Sequence, residues 1–410
     1  MLAYNKLVID LHKDIKIGEL PSILRLFLKD EAIGGRLILL AAAAALIATN
    51  TIWQIGYENF WHTHLSIGLG QWSLTQDLQH WVNEGLMTVF FLVVGLEIKR
   101  EIIGGELKTL QTAVLPVAAA IGGMLVPAML YMLINTNQAG FNGWGIPMAT
   151  DIAIALGLLL LLGKRVPSKL KIFLLTLAIV DDIGAIIVVT VFYNQQVNLL
   201  ALLVAVLLVV VMVILSRSKF MTISIFALLG ICLWLAFNAS GINASIAGVV
   251  LGLLAPLTAT KAHKHPIAVR LERSLLPAAT FIIVPLFVFA NAGLTFKTTA
   301  FDDSGAVLAA FGIIVGLVIG KVVGITGATW LVVKFRLGRL PTGTTWSQFI
   351  GIGFLAGVGF TISIFITELA FSSDRSLIDA AKIGIFVGSV LSAGLGLYSL
   401  RKTATPETTK

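Results

Sequence analysis

Charge is what this 410-residue chain has least of: 12% of it is Asp, Glu, Lys or Arg, against 57% hydrophobic. Globular chains carry about 25% charged residues, so there is too little charge here to cover a soluble surface of this size. Cysteine is nearly absent as well. The single Cys232 excludes a disulfide framework and a metal–thiolate site. No metal-ligand spacing, nucleotide-binding loop or nucleophile motif occurs, so no cofactor is expected and an enzyme is not the reading. Residues 1–32 lack a long apolar run before a small-residue cleavage site and carry Lys6, Lys13, Lys16, Arg25 and Lys29 instead. A removable signal peptide is therefore not expected.

What the chain has in abundance is apolar sequence, with a mean hydropathy of +0.95. About 20 apolar residues cross a bilayer as a helix, and mostly apolar runs of that kind recur along the whole length. We place twelve spans: 33–53, 81–98, 112–134, 146–163, 170–193, 198–215, 221–237, 242–258, 275–293, 306–332, 347–370 and 378–400. Assigning the intervening loops alternately to two sides puts 25 of the 29 Lys and Arg residues on one side. Positive loops stay cytoplasmic, so both termini are expected inside, and the net charge of +8 is a topology signal rather than a nucleic-acid signal. The expected class is an all-α polytopic membrane protein of about twelve helices with the bilayer as its partner. Residues 1–32 form a cytoplasmic surface segment, amphipathic over 10–30. Residues 33–400 form one membrane domain and 401–410 a cytoplasmic tail. In the outer loop, 54–80, residues 64–69 alternate, Gly70-Gln71 offers a turn and Trp72–Thr75 continues, which reads as a small β-hairpin. Its edge invites pairing with a second copy; an ordered cap on the outer face is the alternative.

Four charges stand inside this apolar sequence: Asp151, Asp181, Asp182 and Lys321. Each costs roughly 2.5–3.5 kcal/mol at mid-span, so the four together would cost on the order of 10 kcal/mol if they faced lipid. They are expected to face one another or water, as a functional site. Adjacent carboxylates at 181 and 182 point about 100° apart on a helix, so both can border one cavity without bonding each other. Such oxygens take protons, and they are also hard ligands for small hard cations. A site that holds either, but not both, is the core of an exchanger. Lys321 has the chemistry to pair with one carboxylate and release it on protonation.

The backbone points the same way. Gly145 and Pro147 interrupt the span before Thr150-Asp151, and Gly351, Gly353, Gly357 and Gly359 precede Thr361 and Ser363 in the span 347–370. Broken helices present partial charges at mid-membrane, which Asp151 suits at the positive N-terminal ends and Lys321 at the negative C-terminal ends. Glycine-mediated packing is the alternative for this glycine-rich span. It is the preferred reading for the four-residue ridges Gly312–Gly324 and Gly384–Gly396. Glu84 suits either a site role or an interfacial anchor. Glu97, Lys99, Arg100 and Glu101 read as a solvated helix end, and His263 and His265 as loop histidines.

PMATDIAIALG, LAIVDDIGAI, FFLVVGLEIKRE, LFVFANAG, IGKVVGI and GFTISIFI together resemble the NhaA-type sodium/proton antiporter family of bacterial inner membranes, over essentially residues 20 to 400. Paired interrupted spans are themselves described for this family, so that pattern is not independent of the resemblance. The resemblance implies electrogenic, pH-regulated export of Na⁺ or Li⁺ against protons by alternating access. It implies an inverted-repeat fold with two crossed, interrupted helices, for which 112–193 and 306–400 are the candidate repeats. By motif position, Asp182 is the principal cation ligand and Asp181 the partner of Lys321. Thr150 and Asp151 belong to the crossing, with Na⁺ or Li⁺ held at Asp182, Asp181 and Thr150. Glu97, Arg100, Glu101 and Glu272 match a cytoplasmic cluster linked to pH activation, and the 54–80 hairpin a homodimer contact. Two positions depart from the best-studied members: Asn243 stands where they carry His, and Glu84 where they carry Asp. An imidazole titrates near neutrality and an amide does not, so the pH set point is open. The rival readings are a proton- or sodium-coupled organic-solute symporter on the same fold, and an intramembrane aspartyl protease using Asp151 with Asp182, whose GxGD-type segment is missing.

Overall fold

The computed structural model describes residues 22–69, 72–162, 166–193, 198–216, 221–257, 266–294, 304–371 and 374–403. The expected surface segment before residue 22, the hairpin turn Gly70-Gln71, His263, His265 and the tail beyond 403 lie outside these. The chain is mostly helical. Among the described residues, seven helices are long and apolar enough to cross a membrane, or up to ten if each of three bent helix pairs counts as one span. The seven are Leu110–Ile134, Ser168–Phe192, Leu199–Ser216, Ile223–Ser240, Ile267–Asn291, Ser304–Lys334 and Arg375–Thr403. Two expected spans coincide with helices that fall outside this set: 81–98 with Met87–Gly104, whose last two turns are charged, and 242–258 with the nine-residue Ile246–Leu254. The chain is a multi-pass membrane protein.

Two compact units are described separately. The first comprises Gly56–Gly105 and Thr190–Ala290, with Met1–Phe27. The expected hairpin is present, as His64–Leu69 paired antiparallel with Trp72–Asp77. The sequence left 54–63 as loop, but Gln54–Trp61 is a helix. Its rings explain it, since Tyr57 and Trp61 both meet Phe289 edge-on, at 5.5 and 5.9 Å between centroids. Such pairs add about 0.5–1.5 kcal/mol beyond their buried area. Deeper in this unit, Met87–Gly104 and Ile246–Leu254 come into backbone contact: a Cβ on Gly252 would stand 2.6 Å from the Gly95 carbonyl carbon. On Leu199–Ser216, Leu199, Leu200, Leu203, Leu207 and Ile214 are exposed while Ala205 and Met212 are buried. A helix that is apolar all round and exposed on one side is one that faces lipid.

The second unit comprises Leu28–Ile55, Glu106–Val189 and Asn291–Lys410, and it holds all four intramembrane charges. Its centre is the 31-residue helix Ser304–Lys334. That helix lies against Leu110–Ile134 so closely that a Cβ on Gly320 would sit 2.7 Å from the Pro127 Cα, and one on Gly324 would overlap the Gly122 carbonyl. Small residues there work as close-contact points, which is how helices gain dispersion energy where lipid removes the hydrophobic drive. Midway, Gly316–Gly320 winds as a π turn. Arg375–Thr403 packs along the same helix and against Trp346–Ala356, with Gly384 at Ala310 and Gly396 at Leu355. Lys382 is buried in this helix, its ammonium 2.7 Å from Glu368.

Candidate cation and proton site

Both expected interruptions are real. Ala139–Met148 is a 3₁₀ segment that breaks before Ile152–Leu161 with a 47° bend, and Trp346–Ala356 breaks before Phe360–Ala370 with a 46° bend. Pro147 removes an amide from the first, and glycines bracket the second. The freed backbone groups find partners at the opposite break. The Asp151 amide donates to the Val358 carbonyl at 2.6 Å, and the Ser363 hydroxyl donates to the Ile146 carbonyl at 2.7 Å. Buried backbone groups without water must be satisfied inside the protein, and here each break does so for the other.

Asp151 sits where the helices restart. Its carboxylate accepts from the Ile154 amide at 3.0 Å, the Thr361 amide at 3.1 Å and the Thr361 hydroxyl at 2.7 Å. One carboxylate thus caps two helix N-termini, the positive ends of both dipoles. The negative ends are met differently from expectation. The Ala356 carbonyl lies 2.8 Å from the Thr150 hydroxyl, whereas the Lys321 ammonium goes to Asp181 Oδ2 at 2.6 Å and to Thr150 Oγ1 at 2.9 Å. Thr150 Oγ1 is also 2.7 Å from Asp181 Oδ2. A hydroxyl carries one proton, so Thr150, accepting from Lys321, donates either to the carboxylate or to the helix end.

Thr150, Asp181 and Lys321 are each 0% exposed, and Asp182 is 4% exposed one residue further round the helix Ser168–Phe192. Asp181 Oδ1 has no hydrogen-bond partner, so this fully buried carboxylate keeps one oxygen with acceptor capacity unused. The structure thus brings Thr150, Asp151, Asp181, Lys321 and Thr361 together around the two breaks, with Asp182 on the same helix as Asp181.

The other expected residues form separate clusters within the first unit. Arg100 gathers the whole acidic set: it bonds Glu272 closely, reaches Glu97 at 3.3 Å and Glu101 at 3.8 Å. The expected solvated helix end is instead half-buried and cross-linked, with Lys99 donating to the Leu253 and Ala255 carbonyls at 2.7 and 2.6 Å. Glu84 accepts from Asn238 at 2.8 Å and lies 3.3 Å from His80. Asn243 uses its side-chain oxygen locally, on the Ser245 amide at 3.0 Å. His80, Asn238 and the Lys382–Glu368 pair carry no motif, and nothing local in the sequence signals them.

Buried, mutually paired charges at two helix breaks in a multi-pass membrane chain define an ion-coupled secondary transporter. Comparison with known proteins is specific: a family model described as Na⁺/H⁺ antiporter 1 matches residues 25–400. The Na⁺/H⁺ antiporter NhaA 2 of Clostridium beijerinckii is 44% identical over 372 residues, covering 90% of this chain and 92% of that one. The NhaA antiporter of Salmonella arizonae is 44% identical over 381 residues, covering 92% and 97%. The chain belongs to the Na⁺/H⁺ antiporter 1 family. Among solved structures, the sodium proton antiporter MjNhaP1 of Methanocaldococcus jannaschii shares the fold at a TM-score of 0.53 and 14% identity, covering 92% of this chain and 96% of that chain.

Proposed function

We propose that this Na⁺/H⁺ antiporter exchanges its ions at Asp181, Asp182 and Thr150, with protons and Na⁺ or Li⁺ competing for the same carboxylate oxygens. The observation that carries this reading is the fully buried contact of Lys321 with Asp181 and Thr150. A lone carboxylate there would carry a large desolvation cost; the ammonium offsets it while the cation is absent. A cation at Asp182 and Thr150, or a proton on Asp181, replaces part of what Lys321 supplies. The ammonium is then free to loosen, and alternation between the two sides follows from that exchange of partners. More than one proton exchanged per cation makes the cycle electrogenic.

Around this site we read twelve spans, with the two broken ones crossing and 112–193 and 306–400 as inverted repeats. Both termini lie in the cytoplasm of a bacterial inner membrane, and a homodimer forms through the 54–80 hairpin. The Arg100 cluster with Glu97, Glu101 and Glu272 is read as the cytoplasmic pH-responsive element. The protease reading is not favoured, because both oxygens of Asp151 are committed to three donors at two helix ends.

Inverted membrane vesicles with an acid interior and a pH-sensitive dye test the proposal. Adding NaCl or LiCl is expected to dissipate the gradient, KCl to do little, and Asp182→Asn to abolish the response. A wild-type protein that gives no Na⁺-dependent signal anywhere across the neutral pH range refutes it.

A further inference from the structure

The π turn at Gly316–Gly320 immediately precedes Lys321, and one side chain from another helix attends to it. In an unbroken α-helix the Lys321 amide would donate to the Leu317 carbonyl, four residues back. It donates to Gly316 instead. The Leu317 carbonyl so released accepts the hydroxyl of Ser392, at 3.2 Å, from the helix Arg375–Thr403. Ser392 and Leu317 are both fully buried. The Leu317 side chain is wedged in the same place: a Cβ on Gly359 would stand 3.0 Å from its Cδ2, and one on Gly388 would stand 3.1 Å from its Cδ1.

We infer that Ser392 is a positioning residue for the cation site, because its hydroxyl holds the π turn that aims Lys321 at Asp181. The geometry explains why a hydroxyl is needed. A π turn inserts one residue into the helix, and such turns recur at functional sites. Returning it to α register moves everything after it by one residue, about 100° of azimuth and 1.5 Å of rise. Lys321 reaches Asp181 and Thr150 with contacts of 2.6 and 2.9 Å, so a rotation of that size takes its ammonium off both. Without the Ser392 hydroxyl, the Leu317 carbonyl is a buried acceptor that the Lys321 amide, four residues on, would satisfy in the α register. The α register then becomes the way to satisfy it.

The same helix supplies a matched control. Ser389 is one turn away and also buried, but its hydroxyl has no hydrogen-bond partner. Ser392→Ala, Ser389→Ala and Ser392→Thr are compared as full-length protein, by hydrogen exchange of peptides spanning 316–322 and by Na⁺-dependent exchange in vesicles. Losing one neutral hydrogen bond corresponds to roughly a threefold to tenfold change. Ser392→Ala is expected to speed exchange at 316–322 by about that factor, and to raise the apparent KM for Na⁺ similarly while Vmax changes less. A misaimed ammonium leaves Asp181 to take a proton, which removes one carboxylate charge from the cation. Ser389→Ala is expected to leave both readouts unchanged, and Ser392→Thr, which keeps the hydroxyl, to restore both. Should Ser392→Ala fail to fold, Ser392→Cys keeps the volume with a poor donor and carries the same comparison. The inference is overturned if Ser392→Ala matches Ser389→Ala in both measurements, or if folded Ser392→Thr is as defective as Ser392→Ala. The KM readout rests on the transport reading proposed above, whereas the exchange readout at 316–322 does not, so the two fail separately.

Discussion

Replacing Lys321 by Met keeps the length of the side chain and removes its charge. Asp181 is then left buried, with its ammonium gone and Thr150 as its remaining donor. Breaking a buried ion pair from one side costs about 3–5 kcal/mol. The cost has a ceiling, because the stranded carboxylate can take a proton. An aspartate of ordinary pKa near 3.9 is protonated at pH 7 at a cost of about three pH units, or about 4 kcal/mol. We therefore expect Lys321→Met to lose about 3–4 kcal/mol of stability at pH 7. The loss should shrink by about 1.4 kcal/mol for each unit the pH is lowered, because the escape by protonation becomes cheaper. Adding Asp181→Asn removes the stranded charge, and the double variant should recover most of the loss at every pH. Thermal unfolding of the purified protein across a pH series, run as a double-mutant cycle, reads all of this. A single variant within about 1 kcal/mol of wild type at pH 7, or a double variant as unstable as the two single losses summed, would refute the argument that this contact is an electrostatic pair of desolvated groups.

Two further outcomes follow from the packing and from the His80–Glu84 pair. Gly324→Ala should cost about 1–3 kcal/mol, because the added methyl meets the Gly122 backbone, while Gly327→Ala, with nothing within 4 Å, should be tolerated; equal melting points would discount the close contact. The hydrogen bond to Glu84 raises the His80 pKa above its usual 6.5; partial burial lowers it, and the nearby charges of Glu84 and Asp77 add to the rise. A raised folded-state value means the pair stabilises fully below the unfolded pKa and is lost as pH climbs through the folded one. His80→Gln should therefore flatten the melting-point decline on the alkaline side of 6.5, and a variant whose melting curve tracks wild type at every pH would show the pair to be inert.

The sequence displayed the site's charges plainly because lipid makes them expensive: four ionisable residues in apolar runs have few places to go. It displayed the breaks because Pro147 and the glycines at 357 and 359 interrupt otherwise uniform runs. It did not display what would meet the negative helix ends. Lys321 was matched both to a carboxylate and, on dipole grounds, to helix C-termini; it reaches the Asp181 carboxylate, and Thr150 is the group at the Ala356 carbonyl. A pairing such as Asn238 with Glu84, 154 residues apart, leaves no local signal, and that of Lys321 with Asp181 was legible only through the family resemblance. The π turn was invisible for a different reason. Gly316 and Gly320 read as a packing ridge, and they are one, against Pro147 and Pro127; the change of hydrogen-bond register is decided by the tertiary environment. The helix Gln54–Trp61 likewise exists through its aromatic contacts rather than its hydropathy.

The single carboxylate of Asp151 ties the two interruptions into one mechanical part. Hydrogen bonds to a charged group are worth about 1.5–3 kcal/mol each, and Asp151 holds three across the two helix restarts. Parting the breaks would strand a buried charge and leave two sets of helix-end amides without an acceptor. Whatever displacement this unit undergoes, the least costly course is for both breaks to travel together as a rigid hub. The side chains free to change partners are then those around Asp181, and the knot at Asp151 is what stays still while they do.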